Sequence, residues 1–367
     1  MNVAMKMLQS NKVPGLSRRD FLTTVGLTAL SVKPEVLTAN EKSECIAFFL
    51  IGDTHYLADE ADPTLLDERS RQVTKFLVQT LQQLPGTAIS AEAGGGTVRV
   101  PKGLIHAGDI IDSGDKNSPK HQLMQETEWE AYCADFGISG GGSSWDCPVY
   151  EVHGNHDGPQ ATGFAIDGII GRNRERSKQS LGHVSSSGLQ ISWDWGDVHF
   201  VNLGIVAGTQ ASDKPRRRYA PADSLEFLVE DLRQYVGSSG RPVILTHHID
   251  LARYSVQCDE MDPDNKHREW HPCDLQAFYK AIKPYRIAAL LHGHTHVRDV
   301  YRWQGTAAKG PEGLNVFNVD NSSHFKSDAQ AIMYLEVYED SLLVRECATK
   351  DAWKTHFWTP QVWNVNF

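Results

Sequence analysis

Ile46-Ala47-Phe48-Phe49-Leu50-Ile51 is an unbroken apolar run that stops at Gly52-Asp53-Thr54-His55. A strand with one wet face alternates polar and apolar residues. A continuous run instead marks a strand covered on both faces, as in a parallel or mixed sheet under helices. Asp53 and His55 leave the end of that strand at i, i+2 spacing, so both side chains can aim at one point. The construction recurs along the chain. Gly103–Ala107 runs into Gly108-Asp109-Ile110-Ile111-Asp112, Val149–His153 into Gly154-Asn155-His156-Asp157, and Arg241–Leu245 into Thr246-His247-His248. Ile287–Leu291 then runs into His292-Gly293-His294-Thr295-His296.

These strand ends supply Asp53, His55, Asp109, Asn155, His247, His294 and His296. Open α/β sheets gather their sites at the carboxyl ends of strands, so the residues are expected to converge. So many nitrogen and oxygen donors exceed the needs of one tetrahedral ion. They suit two cations roughly 3.5–4 Å apart that share a bridging carboxylate. Mixed imidazole and carboxylate donors point to Mn²⁺, Fe or Zn²⁺.

The intervening pattern predicts helices over Pro63–Leu84, Gln122–Ala134, Ala222–Tyr235 (capped by Asp223 or Ser224) and Leu275–Ile282. Leu189–Trp195 and Val198–Leu203 flank Gly196-Asp197 as a hairpin, Leu314–Val319 is a further strand, and Ile332–Tyr338 with Leu342–Glu346 closes the fold as a second hairpin. Gly158–Gly188 reads as loops with room for a helix. Gly94-Gly95-Gly96 is a turn, not a phosphate cradle, because no helix with Lys-Ser/Thr follows it. From residue 42 to 367 a single domain is expected.

The chain has 367 residues and a formal charge of −10. That balance argues against a binder of nucleic-acid polymers, which needs basic surface to displace counterions. The basic run Arg216-Arg217-Arg218 reads as a solvated loop. Of the six cysteines, Cys133 and Cys147, or Cys258 and Cys273, bracket short loops that a disulfide would staple, with buried free thiols as the alternative. At the N-terminus, Ser17-Arg18-Arg19-Asp20-Phe21-Leu22 resembles the bacterial twin-arginine export consensus. A short apolar segment and a cleavage candidate at Leu37-Thr38-Ala39 follow. Residues 1–41 are therefore expected to be a signal peptide and linker engaging the twin-arginine machinery, placing the mature protein in the periplasm or medium. If that assignment is wrong, the protein is cytoplasmic. No stretch is long enough to span a bilayer as a helix.

In order, the blocks Asp53-x-His55, Gly108-Asp109-x-x-Asp112, Gly154-Asn155-His156-Asp157, a histidine after a strand, and Gly293-His294-x-His296 resemble the calcineurin-like metallophosphoesterases. The resemblance covers Asp53 to His296. It implies a four-layer α/β/β/α sandwich with mixed sheets. It also implies ligand roles: Asp53, His55 and His296 for one metal, Asn155, His247 and His294 for the other, and Asp109 as the bridge. His247 is taken over His248 because the family's ligand is the first histidine after the strand.

The expected activity is dinuclear metal-dependent hydrolysis of a small phosphoester, with phosphodiesters favoured by family analogy. The nucleophile would be a hydroxide shared by the cations, whose pKa falls toward about 7. His156 would protonate the leaving oxygen, and Asp112 would hydrogen-bond His156 to keep it charged. Such general-acid help is worth about 10²–10⁴-fold. Asn155 and His248 are candidate contacts to substrate phosphate. His292 either lines the site or is a buried, satisfied ring. His106 and His153 are core residues, and Tyr56 is a possible substrate contact. The alternatives are a broad phosphomonoesterase and, in another class, a non-catalytic scaffold on the same sandwich.

Departures from the family narrow this expectation. Asp112 stands where purple acid phosphatases carry a tyrosine ligand, which disfavours a tyrosinate–iron(III) site. Ser113 and Asp157 replace the arginine and glutamate of protein serine/threonine phosphatases.

Overall fold

The computed structural model describes residues 45–139, 143–209, 217–252, 269–306 and 308–367, and these belong to one compact unit. The proposed export signal lies outside the described residues.

Two sheets lie face to face. The first contains β1 (Ile46–Ile51), β2 (Leu104–His106), β3 (Val149–Glu151), β11 (Gln330–Val337), β12 (Ser341–Thr349) and β13 (Phe357–Asn366), in the order β13-β12-β11-β1-β2-β3. The second contains β4 (His183–Val184), β5 (Ile191–Trp195), β6 (Val198–Asn202), β7 (Val243–Thr246), β8 (Ile287–His292), β9 (Asp299–Trp303) and β10 (Leu314–Asn318), in the order β4-β5-β6-β7-β8-β10-β9. Both are mixed: β1, β2 and β3 run parallel, as do β6, β7, β8 and β10, while hairpin partners at the edges run antiparallel.

The pleat of β1 explains its unbroken apolar sequence. Ile46, Phe48 and Leu50 pack between the sheets with Phe200, Ile244, Leu291 and Phe317. Ala47, Phe49 and Ile51 face the other way, into a core shared with α1 (Glu68–Gln83), α2 (Pro119–Asp135) and α3 (Phe164–Lys178). On the far side, Val201, Val243, Leu245 and Leu290 pack against α4 (Ser224–Asp231) and α5 (Pro272–Ile282). The layers are thus α/β/β/α. Fully burying each large apolar side chain is worth about 1.5–3 kcal/mol, so strands loaded on both faces dominate the energetics.

Local signals set the helix starts. Asp67 accepts from Ser70 N, which delays α1 past Pro63. Ser118 caps α2 with Pro119 in its first turn. Gly158–Gly188 contains α3, the helix its reading left room for, between shorter loops. Its buried Arg172 and Arg176 meet Glu151 at the carboxyl end of β3 at 2.7 and 2.6 Å. Arg172 and Arg176 outweigh the effect of burial and hold the Glu151 carboxyl down at about 2. β9 and β13 were not legible in advance. β13 is an edge strand whose exposed and half-buried residues carry no clean alternation. Cys133 and Cys147 are free rather than stapled, the former facing Arg172 and the latter the Pro101 carbonyl. Cys258 lies outside the described residues. No helix among the described residues is long and apolar enough to cross a membrane.

Candidate metal centre

The parallel strands of both sheets deliver their carboxyl ends to one edge of the sandwich. There the backbone leaves ordinary space: Asp53, His55, Asp109, His294 and His296 all have positive φ, at 52°, 45°, 52°, 75° and 52°. A non-glycine residue in this region costs of order 1 kcal/mol or more, and such strain collects where a fold over-determines functional side chains. Two glycines permit the close approach. A Cβ on Gly154 would lie 2.2 Å from Asp109 Oδ1, and one on Gly293 would lie 2.5 Å from Asp53 Oδ2. The carboxylate of buried Asp157 ties the second and third blocks together by accepting from Ile110 N, Ile111 N and Gly154 N.

Ligand-type atoms of Asp53, His55, Asp109 and His296 lie within 4.8 Å of one another, and so do those of Asp109, His248 and His294. The two sets meet at Asp109. Its Oδ2 lies 3.7 Å from His55 Nε2 and 3.2 Å from His248 Nε2. His55 Nε2 and His296 Nε2 face each other at 3.2 Å, and His296 Nε2 is 3.4 Å from Asp53 Oδ1. The Asp53 carboxylate also accepts from His294 N.

His247 is corrected here. It does not reach the cluster. Its buried ring packs edge-on to Trp270 and Phe278 and stacks on His292 at 5.5 Å, and neither nitrogen has a hydrogen-bond partner. His248, expected only as a substrate contact, is the ring that joins the cluster at Asp109. The side chains of consecutive extended residues point to opposite sides, and the one that crosses toward β2 is the second. His248 Nδ1 donates to Ala107 O at 2.8 Å, which leaves Nε2 for Asp109 and the centre.

A second correction concerns Asp112. Its carboxylate meets His55 Nδ1 at 3.2 Å and Lys116 Nζ at 2.9 Å. It does not orient His156, whose Nδ1 is instead 3.2 Å from the Asp112 main-chain carbonyl and 4.0 Å from the Asp115 carboxylate. The short side chain of Asp112 is taken by the ring it can reach. A carboxylate on the far nitrogen of a ligating histidine fixes its tautomer and raises its basicity.

The remaining candidates fall as follows. Asn155 sits in the turn that wraps Asp109, where His156 N donates to Asp109 Oδ1 at 2.8 Å, and the buried Asn155 Oδ1 has no hydrogen-bond partner. Tyr56 is a core residue whose hydroxyl donates to Asp135, and His106 bonds Thr54 inside the sheet. His292 is buried beside His247, and Arg217 is paired with Asp274 at 2.9 Å. Two residues were missed. Glu269 accepts from His294 Nε2 at 3.1 Å. His324 brings a ring nitrogen within 4.8 Å of those of His55 and His296. Its signal was present: the strand expected over Leu314–Val319 also ends in a polar stretch, Asp320 to His324.

Burial alone would raise the Asp53 and Asp109 carboxyls. His296 beside the first, and His248, His55 and His156 beside the second, outweigh it and hold both below the usual range, Asp109 well below. Burial would also lower His248, but Asp109 pushes it up to about 9. Converging lone pairs, an orphaned carboxamide oxygen and rings locked by their outer nitrogens are the donor set a pair of cations requires, and protons are what cations would displace.

The family model for calcineurin-like phosphoesterase matches residues 46–298. The chain belongs to the calcineurin-like phosphoesterase family, a class of metal-dependent phosphoester hydrolases. Among solved structures it is similar in fold to a dimetal phosphatase from Danio rerio, with 12% identity, 88% of this chain and 98% of that chain covered, and a TM-score of 0.52. Purple acid phosphatase PPD1 from yellow lupin (Lupinus luteus) matches with 12% identity, 89% and 54% coverage and a TM-score of 0.49. GAP50, the anchor in the inner membrane complex of Plasmodium, matches with 10% identity, 88% and 89% coverage and a TM-score of 0.40. No curated protein matches.

Proposed function

We propose that the chain hydrolyses phosphodiesters at a dinuclear centre of Mn²⁺, Fe or Zn²⁺. Asp53, His55 and His296 would hold one cation, Asn155, His248 and His294 the other, and Asp109 both. The observation that carries this reading is the position of the Asp109 carboxylate between His55 and His248, shared by both donor sets. When bound, the cations would activate water at neutral pH and neutralise charge on the phosphoryl oxygens.

The protein's own part is orientation and proton delivery. Asp112 and the Ala107 carbonyl hold the outer nitrogens of His55 and His248, so each presents Nε2 inward. His156 Nδ1 donates to the Asp112 carbonyl. Burial would lower this ring, but Asp109, the Asp112 carbonyl, Asp112 and Asp115 raise it, favouring the protonated form. As the bond from phosphorus to the leaving oxygen breaks, His156 Nε2 would give its proton to that oxygen.

The charge around the centre supports a diester over a monoester. Asp115 stands beside His156, Glu269 beside His294, and the nearby cations Lys116 and Arg218 already face Asp112 and Glu269. A singly charged diester meets less repulsion there than a dianionic monoester. The test is kcat/KM for bis(4-nitrophenyl) phosphate, 4-nitrophenyl phosphate, a cyclic nucleotide and a choline phosphodiester under Mn²⁺ and Zn²⁺. The diester is expected to lead. A leading monoester would establish the broad phosphomonoesterase, and a metal-loaded protein inert to all four would establish the scaffold.

We also propose export through the twin-arginine machinery, supported by Ser17–Leu22. Changing Arg18 and Arg19 to Lys should leave the protein in the cytoplasm, and unchanged location would refute this.

A further inference from the structure

His324 belongs to none of the blocks that define the family pattern, yet it stands in the centre. Its ring lies 4.5 Å from that of His55 and 4.8 Å from that of His296, centroid to centroid. The loop that carries it is fastened at both ends. Ser322 N donates to Gly52 O at 2.9 Å, Gly52 N donates to Ser322 Oγ at 3.1 Å, and Ser323 Oγ donates to Thr54 O at 3.2 Å. Trp353 Nε1 donates to Ser322 O, and Gln330 Nε2 to His324 O. The His324 ring stacks on Phe325 at 4.7 Å and is nearly buried. A long-range set of bonds to the β1 end therefore presents this side chain beside His55 and His296, with one ring face on Phe325.

Its chemistry follows from one contact. Lys326 N donates to His324 Nδ1 at 3.1 Å. A main-chain N–H can only donate, so Nδ1 must offer a lone pair and cannot carry the ring proton. The proton is then on Nε2, which has no hydrogen-bond partner among the described residues. A protonated ring nitrogen cannot ligate a cation but can donate to an anion. The neighbouring rings are held the opposite way. His55 and His248 spend Nδ1–H on Asp112 and the Ala107 carbonyl, which leaves Nε2 as the nitrogen a cation would take. We propose that His324 is not a third ligand on the Asp53/His55/His296 side but donates from Nε2 to a non-bridging oxygen of the bound phosphoester. This rests on the phosphoester reading of the same centre and assigns that reading a substrate-positioning residue.

The test uses the Mn²⁺-loaded full chain with inorganic phosphate as the probe, in wild type, His324→Phe and His324→Gln. Phenylalanine keeps the stack on Phe325 and removes the donor, whereas glutamine keeps an N–H near the Nε2 position. All three should hold the same number of Mn²⁺ ions by elemental analysis. Calorimetric phosphate affinity should fall about tenfold or more in His324→Phe, the loss expected for one hydrogen bond to a charged group, and recover within about threefold in His324→Gln. For 4-nitrophenyl phosphate esters, KM should rise more than kcat falls. Wild-type phosphate affinity in His324→Phe, or loss of a metal ion in either variant, would overturn the assignment. If His324→Phe fails to fold, His324→Gln decides: retained metal with near wild-type phosphate affinity upholds the donor, and lost metal identifies a ligand. Wild type that neither binds phosphate nor cleaves a phosphoester brings down the underlying reading. Active wild type with an indifferent His324→Phe brings down this inference alone.

Discussion

His247 and His248 are adjacent in sequence and equally buried, but they stand in opposite environments. His248 faces Asp109 across 3.2 Å and is pushed up to about 9. His247 faces Trp270, Phe278 and His292, and burial pushes it well below its usual value. One residue of chain separates the cleft between the sheet edges from the apolar layer under α5. A histidine type in a motif therefore says little by itself. What surrounds the ring decides whether it offers a lone pair to the centre or merely fills space.

His199 sharpens the contrast from a third position. It also touches carboxylates, Asp194 and Asp231, at 2.7 Å each. Both of its nitrogens are consumed, so it has nothing to offer a ligand. Contact with acids is not sufficient either; an unspent nitrogen is also needed.

The largest effect is expected at the residue both donor sets share. Asp109→Asn should lose bound metal and activity by more than the ~10–100-fold typical of outer partners, read by elemental analysis and kcat/KM. Next comes the pair itself. His248→Ala should lose one cation per chain and at least about 100-fold in activity, whereas His247→Leu should keep full metal content and stay within about 1.5 kcal/mol in stability. Equal metal loss in both variants would erase the distinction between the two rings. Asp112→Asn should weaken metal affinity about 10–100-fold through His55, and this loss should outweigh the small downward shift of the alkaline limb of the pH–rate profile, which reports His156. A large shift of that limb with metal binding unchanged would instead tie Asp112 to His156.

The smallest effect concerns stability at His199. Burial would lower this ring, but Asp194 and Asp231 raise it. A histidine raised on folding contributes stability that is fully present below its unfolded value near 6.5 and is lost as pH rises through the folded value. His199→Gln should therefore cost about 1–3 kcal/mol at pH 5.5, with the deficit fading at alkaline pH, as measured by urea midpoints. A deficit that grows with pH would show the ring to be neutral in the fold.

The apolar runs at Ile46–Ile51 and Ile287–Leu291, each closed by glycine and ligand-type residues, determined the layered sheets, the edge carrying the site and most of its donors. That much is legible because strand burial is a periodicity of the chain itself. Tertiary structure alone decided that His248 displaces His247, that Asp112 serves His55, and that His324 joins from beyond the last block. Each depends on a left-handed turn or a cross-sheet bond to a residue as far away as Gly52 from Ser322, and local patterning does not encode the direction in which a side chain leaves such a turn.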